Sequence, residues 1–318
     1  MARATFKDLL FLAALGVLWG VSFMAIKAGL SHFDPIFFAA VRYDIAGLLM
    51  LAVALPAGWK AVWPRSRVQW KAVWISAALN VMGYHAFLFW GEQYTTSSIA
   101  AVVVSLNPIM AMVVARALLP GERVGPGGLL GLLLGLVGIA LLVGLKPGEL
   151  FDARGIGELA VFGCVVSWAF GAVLVKRLGH GMPVVPFTAL QMILGALMLH
   201  ALSLVMEGPR PRWDHTVPAL SSLLYLSVLA SGIGFFLYFT LLERIGPIRS
   251  SLVSYIAPVF ATLAGFLVLQ EAIEVRAFLA FVLVAVGFRL VIVQPPEAKA
   301  IPPPASHEVL GEGVTEEP

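Results

Sequence analysis

Runs of about 20 apolar residues recur along this 318-residue chain, near 8–29, 35–55, 71–91, 98–118, 126–145, 155–176, 184–205, 218–241, 249–269 and 273–293. As a helix rising 1.5 Å per residue, each is long enough to cross a hydrocarbon core of about 30 Å. No other feature constrains the fold as much. In lipid a backbone must satisfy its own hydrogen bonds, which only helices and closed barrels do. The composition agrees: 60% of residues are hydrophobic and 12% charged, with a mean hydropathy of +0.93. A soluble domain carries about 25% charged residues. The expected fold class is an all-α membrane protein of ten transmembrane helices.

The connections are short and carry turn residues, as at Pro120-Gly121, Lys146-Pro147-Gly148 and Pro209-Arg210-Pro211. The apolar stretch behind Arg3 and Lys7 is too long for a cleaved signal and reads as the first retained helix. Orientation follows from the basic residues. With a cytoplasmic N-terminus, fourteen Lys and Arg fall in inside segments and five (Lys146, Arg154, Arg210, Arg212 and Arg276) outside. Both termini are therefore expected in the cytoplasm, and the protein in a bacterial inner membrane. The net charge of +3 is small and suggests no nucleic-acid partner. Residues 294–318, rich in Pro and Glu, read as a disordered cytoplasmic tail.

The chain repeats itself at a spacing of 149 residues. Trp19 falls on Trp168, Lys27 on Lys176, Phe38 on Phe187, Glu122 on Glu271 and Gly138 on Gly287, while Pro108 falls on Pro258 at 150. Trp, Lys, Glu and mid-helix Pro are rare in so apolar a chain, so their coincidence is informative. Residues 1–148 and 149–293 are thus expected to be similar five-helix halves. Five is odd, so the second half enters the membrane from the opposite side. Two inverted five-helix repeats are a device of transporters, with the substrate near the midplane between them.

The same residues resemble a family. Leu18-Trp19-Gly20 with Phe23 and Lys27 precedes Arg42 early in the second span. Tyr94-Thr95 precedes a fourth span with Pro108 and Gly121-Glu122 at its end. The second half answers with Trp168, Lys176, Gly246-Pro247, Ser250-Ser251, Pro258 and Glu271. Over residues 8–293 this resembles the EamA-type branch of the drug/metabolite transporter superfamily. The resemblance implies ten helices around a central cavity and export of amino acids, other metabolites or drugs. Gln191 stands where Arg42 would repeat, so the halves differ there.

Candidate site residues follow from chemistry and helical spacing. Trp59, Trp63, Trp70, Trp74, Trp90 and Trp213 lie near span ends, as an interfacial belt requires. Trp19 and Trp168 lie mid-span. Trp19, Phe23 and Lys27 share one helix face, as do Trp168, Ala172 and Lys176. Each face reads as a cavity wall with a cation at its mouth, or as core aromatics with snorkelling lysines. Asn80 and Tyr84 share a face of the third span and, with Asn107, are candidates for substrate hydrogen bonds or for helix-to-helix ones. His85 is expected about 100° away from that face. Pro108 and Pro258 read as mid-helix kinks and candidate gating hinges. Arg42, Asp44 and Glu92 read as charge-pairing or proton-coupling residues, with Asp44 placed to meet Lys27. Gly127, Gly131 and Gly135 form a small-residue stripe, read as packing within a monomer, with a homodimer second.

Enzyme chemistry finds no support. The six histidines show no HExxH spacing, and there is no Walker loop or Gly-x-Ser-x-Gly elbow. The lone Cys164 excludes an internal disulfide, and no cofactor or metal is implied. The expected function is secondary transport of a small-molecule substrate by alternating access, with export of a small metabolite such as an amino acid. The alternative is a multidrug-type exporter of hydrophobic cations, and behind it a channel. Lipid and substrate are the expected partners.

Overall fold

The computed structural model describes residues 4–95, 100, 103–119, 124–143, 155–260 and 275–293. Gly121, Glu122, Glu271, the turn at 146–148 and the tail 294–318 lie outside the described residues. Nine helical stretches carry the argument: α1 (Phe6–Leu30), α2 (Pro35–Ala54), α3 (Arg67–Gly91), α4 (Asn107–Leu118), α5 (Pro126–Val143), α6 (Gly155–Leu178), α7 (Val184–Met206), α8 (Val217–Ser250) and α9 (Val275–Ile292). Residues 253–260 form a further helical segment. Six apolar helices, α1, α2 with its one-turn extension to Ala57, α3, α6, α7 and α8, are long enough to cross a membrane. Apolar stretches within α4, α5 and α9 are shorter. Large apolar side chains such as Leu48, Val137, Leu197, Val205 and Phe278 point outward, as lipid-facing residues do. The chain is an all-helical membrane protein.

Helices at equivalent places in the 149-residue repeat pack on each other. The most extensive pairs are α2 with α7 and α5 with α9. In the first, the backbone N–H groups of Ile36 and Phe37 meet Glu207, Asp44 meets His200, and Gly47 lies against Ile193. Rising numbers meet falling ones, so α2 and α7 run antiparallel. In the second, Gly131 lies against Gly287 and Gly138 against Ala280 and Val284, again antiparallel. The glycine stripe of α5 thus packs within the chain, through Gly131, Gly135 and Gly138. The remaining long helices exchange partners: α1 packs on α8 and α6 on α3.

Both α3 and α8 carry a π-helical segment, Ala77–Gly83 in one and Tyr225–Ile233 in the other. These are equivalent positions of the repeat. A π-turn needs five residues to return to one face, and it leaves backbone carbonyls for other donors. Ser167 Oγ donates to Leu79 O (2.7 Å), and Trp19 Nε1 donates to Ala230 O (3.0 Å). Near its end α8 breaks at Gly246, whose φ of 82° suits glycine alone, and Pro247 restarts the chain toward the segment 253–260.

Proline behaves differently from the expectation at one of its two sites. Pro108 does not kink a continuous helix. The chain turns at Ser105–Leu106, and Pro108 sits in the first turn of α4, where its missing N–H leaves no bond unmade. Pro258 lies inside the helical segment 253–260.

One clasp closes the end of the bundle where α1 meets α2. Asp34 precedes α2, but its carboxylate accepts from Arg212 N (2.7 Å) and makes no cap. Glu207, at the end of α7, caps α2 instead. Its two oxygens accept from Ile36 N (2.6 Å) and Phe37 N (2.9 Å), and Ser203 Oγ donates to it at 2.6 Å. A carboxylate there meets both orphan N–H groups and the positive helix end. Glu207→Ala is expected to cost about 1–2 kcal/mol, read as a lower melting temperature in detergent. An unchanged melt would show that the cap contributes nothing.

Candidate functional site

The helix exchange brings Trp19 and Trp168 together at the centre. Their rings meet edge to face, with centroids 5.5 Å apart at 83°. Tyr238 joins both, at 5.5 Å from Trp19 and 4.7 Å from Trp168, and Phe235 meets Trp168 at 5.7 Å. The two indoles have different partners. Trp168 is buried and donates Nε1–H to Tyr238 OH (2.9 Å). Trp19 is half-buried and donates to the freed Ala230 carbonyl of the α8 π-segment.

A cavity of about 40 Å³ opens beside this cluster. Its wall includes Trp19, Ser22 and Phe23 of α1, Arg42 of α2, Tyr84 and His85 of α3, Asn107 of α4, Trp168 of α6, Phe235 of α8, and Ser254 and Pro258 beyond it. Pockets that enclose small molecules begin at roughly 300 Å³. This one is contracted around its aromatic wall, and a cargo needs the wall to part.

The polar groups of the wall are mostly held. Tyr43 OH lies 2.8 Å from His85 Nε2, and His85 Nδ1 lies 3.0 Å from Val81 O. A carbonyl only accepts, which assigns the proton to Nδ1 and leaves Nε2 to accept from the Tyr43 hydroxyl. Asn107 Nδ2 donates to Ser254 Oγ (3.4 Å), while its Oδ1 is buried with no partner among the described residues. Arg42, only 3% exposed, donates Nε–H to Ser231 Oγ (2.6 Å). Its guanidinium stands 5.2 Å from the Tyr43 ring and 5.9 Å from the Phe89 ring, a cation–π arrangement.

The expected residues divide accordingly. Trp19, Phe23, Tyr84, Asn107, Trp168, Arg42 and Pro258 line the cavity; Asn80, Lys27, Lys176, Pro108, Asp44 and Glu92 do not. Asn80 is a helix-to-helix residue: its Nδ2 donates to Trp168 O (3.1 Å), its Oδ1 accepts from Ser76 Oγ (3.2 Å), and it packs on Gly171. Asn80 is turned to α6, while Tyr84 lines the cavity and His85 joins it there, contrary to its expected direction.

Asp44 meets His200 Nε2 at 2.7 Å rather than Lys27, because its face of α2 is turned to α7. Glu92 is buried, and neither oxygen is hydrogen-bonded among the described residues. Lys27 is exposed. Lys176 donates to Glu243 O (2.5 Å) beside a second, open cavity of about 540 Å³ formed with His180, Met182 and Phe239. Sequence reasoning gave no role to Phe235, Tyr238 or Ser254. Their apolar or small-polar surroundings look like any other span, and only the fold brings them to the centre.

Comparison with known proteins supplies the family. The model of the EamA-like transporter family matches twice, at residues 7–144 and 155–293. YvbV of Bacillus subtilis, named a transporter, is 29% identical over 286 residues, which cover 90% of this chain and 91% of that one. YedA of Escherichia coli, named an inner membrane transporter, is 30% identical over 258 residues, 80% of each chain. A protein of known crystal structure superposes with a TM-score of 0.73 over 91% of this chain and 98% of its own, at 24% identity, a likeness of fold alone. Neither the family nor these relatives are named as enzymes. The chain belongs to the EamA-like transporter family and is an integral membrane transporter.

Proposed function

We propose that the protein is a secondary carrier that exports a small metabolite across a bacterial inner membrane by alternating access. In this reading ten crossings form two inverted five-helix repeats, with both termini in the cytoplasm. The observation that carries it is the meeting of Trp19 and Trp168, repeat-related residues from α1 and α6, at one shared central cavity. The antiparallel packing of α2 on α7 and of α5 on α9 supports the inversion. Two halves that swap conformations around one site open it to each side in turn. Amino acids lead as cargo: the indoles and Phe23 face an apolar side chain, and Tyr84 and Asn107 offer hydrogen bonds. Export is the direction the family resemblance suggests.

The hydrophobic-cation alternative needs a carboxylate in the cavity. The described wall holds none, and it does hold a guanidinium. Asp44→Asn and Glu92→Gln are therefore expected to leave transport close to the wild-type rate. Abolition of transport by either would favour the cation reading.

Counterflow in proteoliposomes tests the carrier. Vesicles are loaded with one unlabelled amino acid, and entry of the labelled compound is followed. Transient accumulation above equilibrium is the expected result. Simple equilibration, insensitive to unlabelled competitor, would mark a channel and remove alternating access.

A further inference from the structure

We propose that the cargo carries a carboxylate and that Arg42 receives it, an inference that rests on the carrier reading above. Arg42 lines the central cavity and is 97% shielded from solvent, since its exposure is 3%. A guanidinium has five N–H donors in a planar fork. Nε is committed to Ser231 Oγ, and the face of the fork lies near the rings of Tyr43 and Phe89. Among the described residues none bonds the fork's terminal nitrogens, which leaves them for the cavity that Arg42 lines.

No carboxylate among the described residues pairs with Arg42. Asp44, two residues on, is turned to His200. His85, the other basic group of the wall, already makes both ring-nitrogen bonds, to Tyr43 and Val81. A buried cation without a counter-ion is costly to keep. The repeat shows that the fold itself does not require one. At the equivalent position of the second half stands Gln191, uncharged, buried and hydrogen-bonded by Ser76. Each side chain reaches from its helix to the partner helix of the other half, Arg42 to α8 and Gln191 to α3. Only Arg42 brings a charge, and only Arg42 lines the cavity.

A carboxylate suits the geometry because it accepts two parallel N–H bonds from one fork. Asn107 Oδ1, buried in the same wall with no donor among the described residues, takes an N–H or O–H of the cargo. Trp19, Phe23, Trp168 and Phe235 leave apolar surface for the remainder. The cargo is a small carboxylic acid with an apolar body and a second, hydrogen-bond-donating group.

Matched probes test this on the purified full-length protein, read by thermal melting. The pairs are 3-phenylpropionate against phenethylamine, and hexanoate against hexylamine, with L-phenylalanine and L-leucine carrying both groups. The carboxylates and amino acids are expected to raise the melting temperature and the amines to leave it unchanged. Arg42→Gln abolishes the shift, and Arg42→Lys keeps a weaker one. The wild-type comparison stands even if Arg42→Gln fails to fold.

Stabilisation by the amines, equal stabilisation of Arg42→Gln, or no shift from any carboxylate would overturn the assignment. Protection by inorganic phosphate equal to that by the carboxylates would overturn it too, in favour of a general oxyanion site. Counterflow with the same compounds separates this proposal from the carrier reading. Carboxylates that bind but never counterflow leave Arg42 in place and remove the carrier. Labelled amines that counterflow while carboxylates neither bind nor counterflow do the reverse.

Discussion

Gly287→Ala is expected to split α5 from α9 and to lower the melting temperature by roughly 5–10 °C. A Cβ at Gly287 would lie 2.5 Å from Gly131 O, 2.7 Å from Gly135 N and 3.2 Å from Gly135 Cα. All three are backbone atoms, so no rotamer change relieves the contact. The contact is mutual, since a Cβ on Gly131 would lie 2.7 Å from Gly287 O. Next to this seam Tyr255 packs its ring where a Gly135 side chain would stand, and its hydroxyl donates to Leu132 O (2.7 Å). Two apolar helices in lipid gain little from burial as such, so their close approach supplies the attraction. Overpacking a tight core costs about 1–3 kcal/mol, and here the backbones must separate to admit even a methyl group. Gly155→Ala is the control: nothing lies within 4 Å of its Cβ, and its stability is expected to hold. A Gly287→Ala protein that melts with the wild type would show that the seam is looser than these distances.

The sequence revealed the spans and the repeat for a physical reason. Lipid demands long apolar runs, and a rare Trp, Lys or Glu recurring at 149 residues stands out against them. It did not reveal where each polar side chain would point. Asn80 turned to a helix-to-helix contact and His85 into the wall, within and beside a π-helical segment that nothing in Ala77–Gly83 announces. Pro108 looked like a kink because the residue in the cap position of its helix is the apolar Leu106, which does not announce a helix start. Asp44 and Arg42 are two residues apart, yet their partners, His200 and Ser231, come from the other half. The cap on α2 likewise comes from Glu207, 171 positions beyond Ile36. Contacts of this range are set by helix exchange, which a pattern read along one chain does not contain. The central tryptophans escaped the difficulty, since two bulky indoles at equivalent positions of the repeat stand out in the sequence and meet at the centre of the fold.

Trp19→Ala is expected to lower transport by on the order of 10–100-fold while leaving a folded protein. Trp19 and Trp168 are equivalent in the repeat but not in the structure. Trp168 is buried, bonded to Tyr238 and crossed by the amide of Asn80 at its backbone, so its loss strikes the fold. Trp19 is half-buried on the cavity wall, and its removal takes away one side of the surface that an apolar cargo would press against. It also leaves Ala230 O without its donor, in a segment whose π geometry had already freed that carbonyl. Trp19→Phe separates the two contributions. It keeps a six-membered ring in the wall and loses the hydrogen bond, worth about 1 kcal/mol, together with the smaller ring that makes it, so its transport is expected to fall by about fivefold. Monodispersity and melting in detergent establish that each variant is folded, and initial rates across cargo concentrations then divide binding from turnover. A folded Trp19→Ala protein with wild-type kinetics would make Trp19 a packing residue of the α1–α8 contact. A loss in Trp19→Phe as deep as in Trp19→Ala would shift the function from the ring to the bond. The π-segment of α8, bonded to α1 through Trp19 and Tyr225, would then be the element that moves when the site opens.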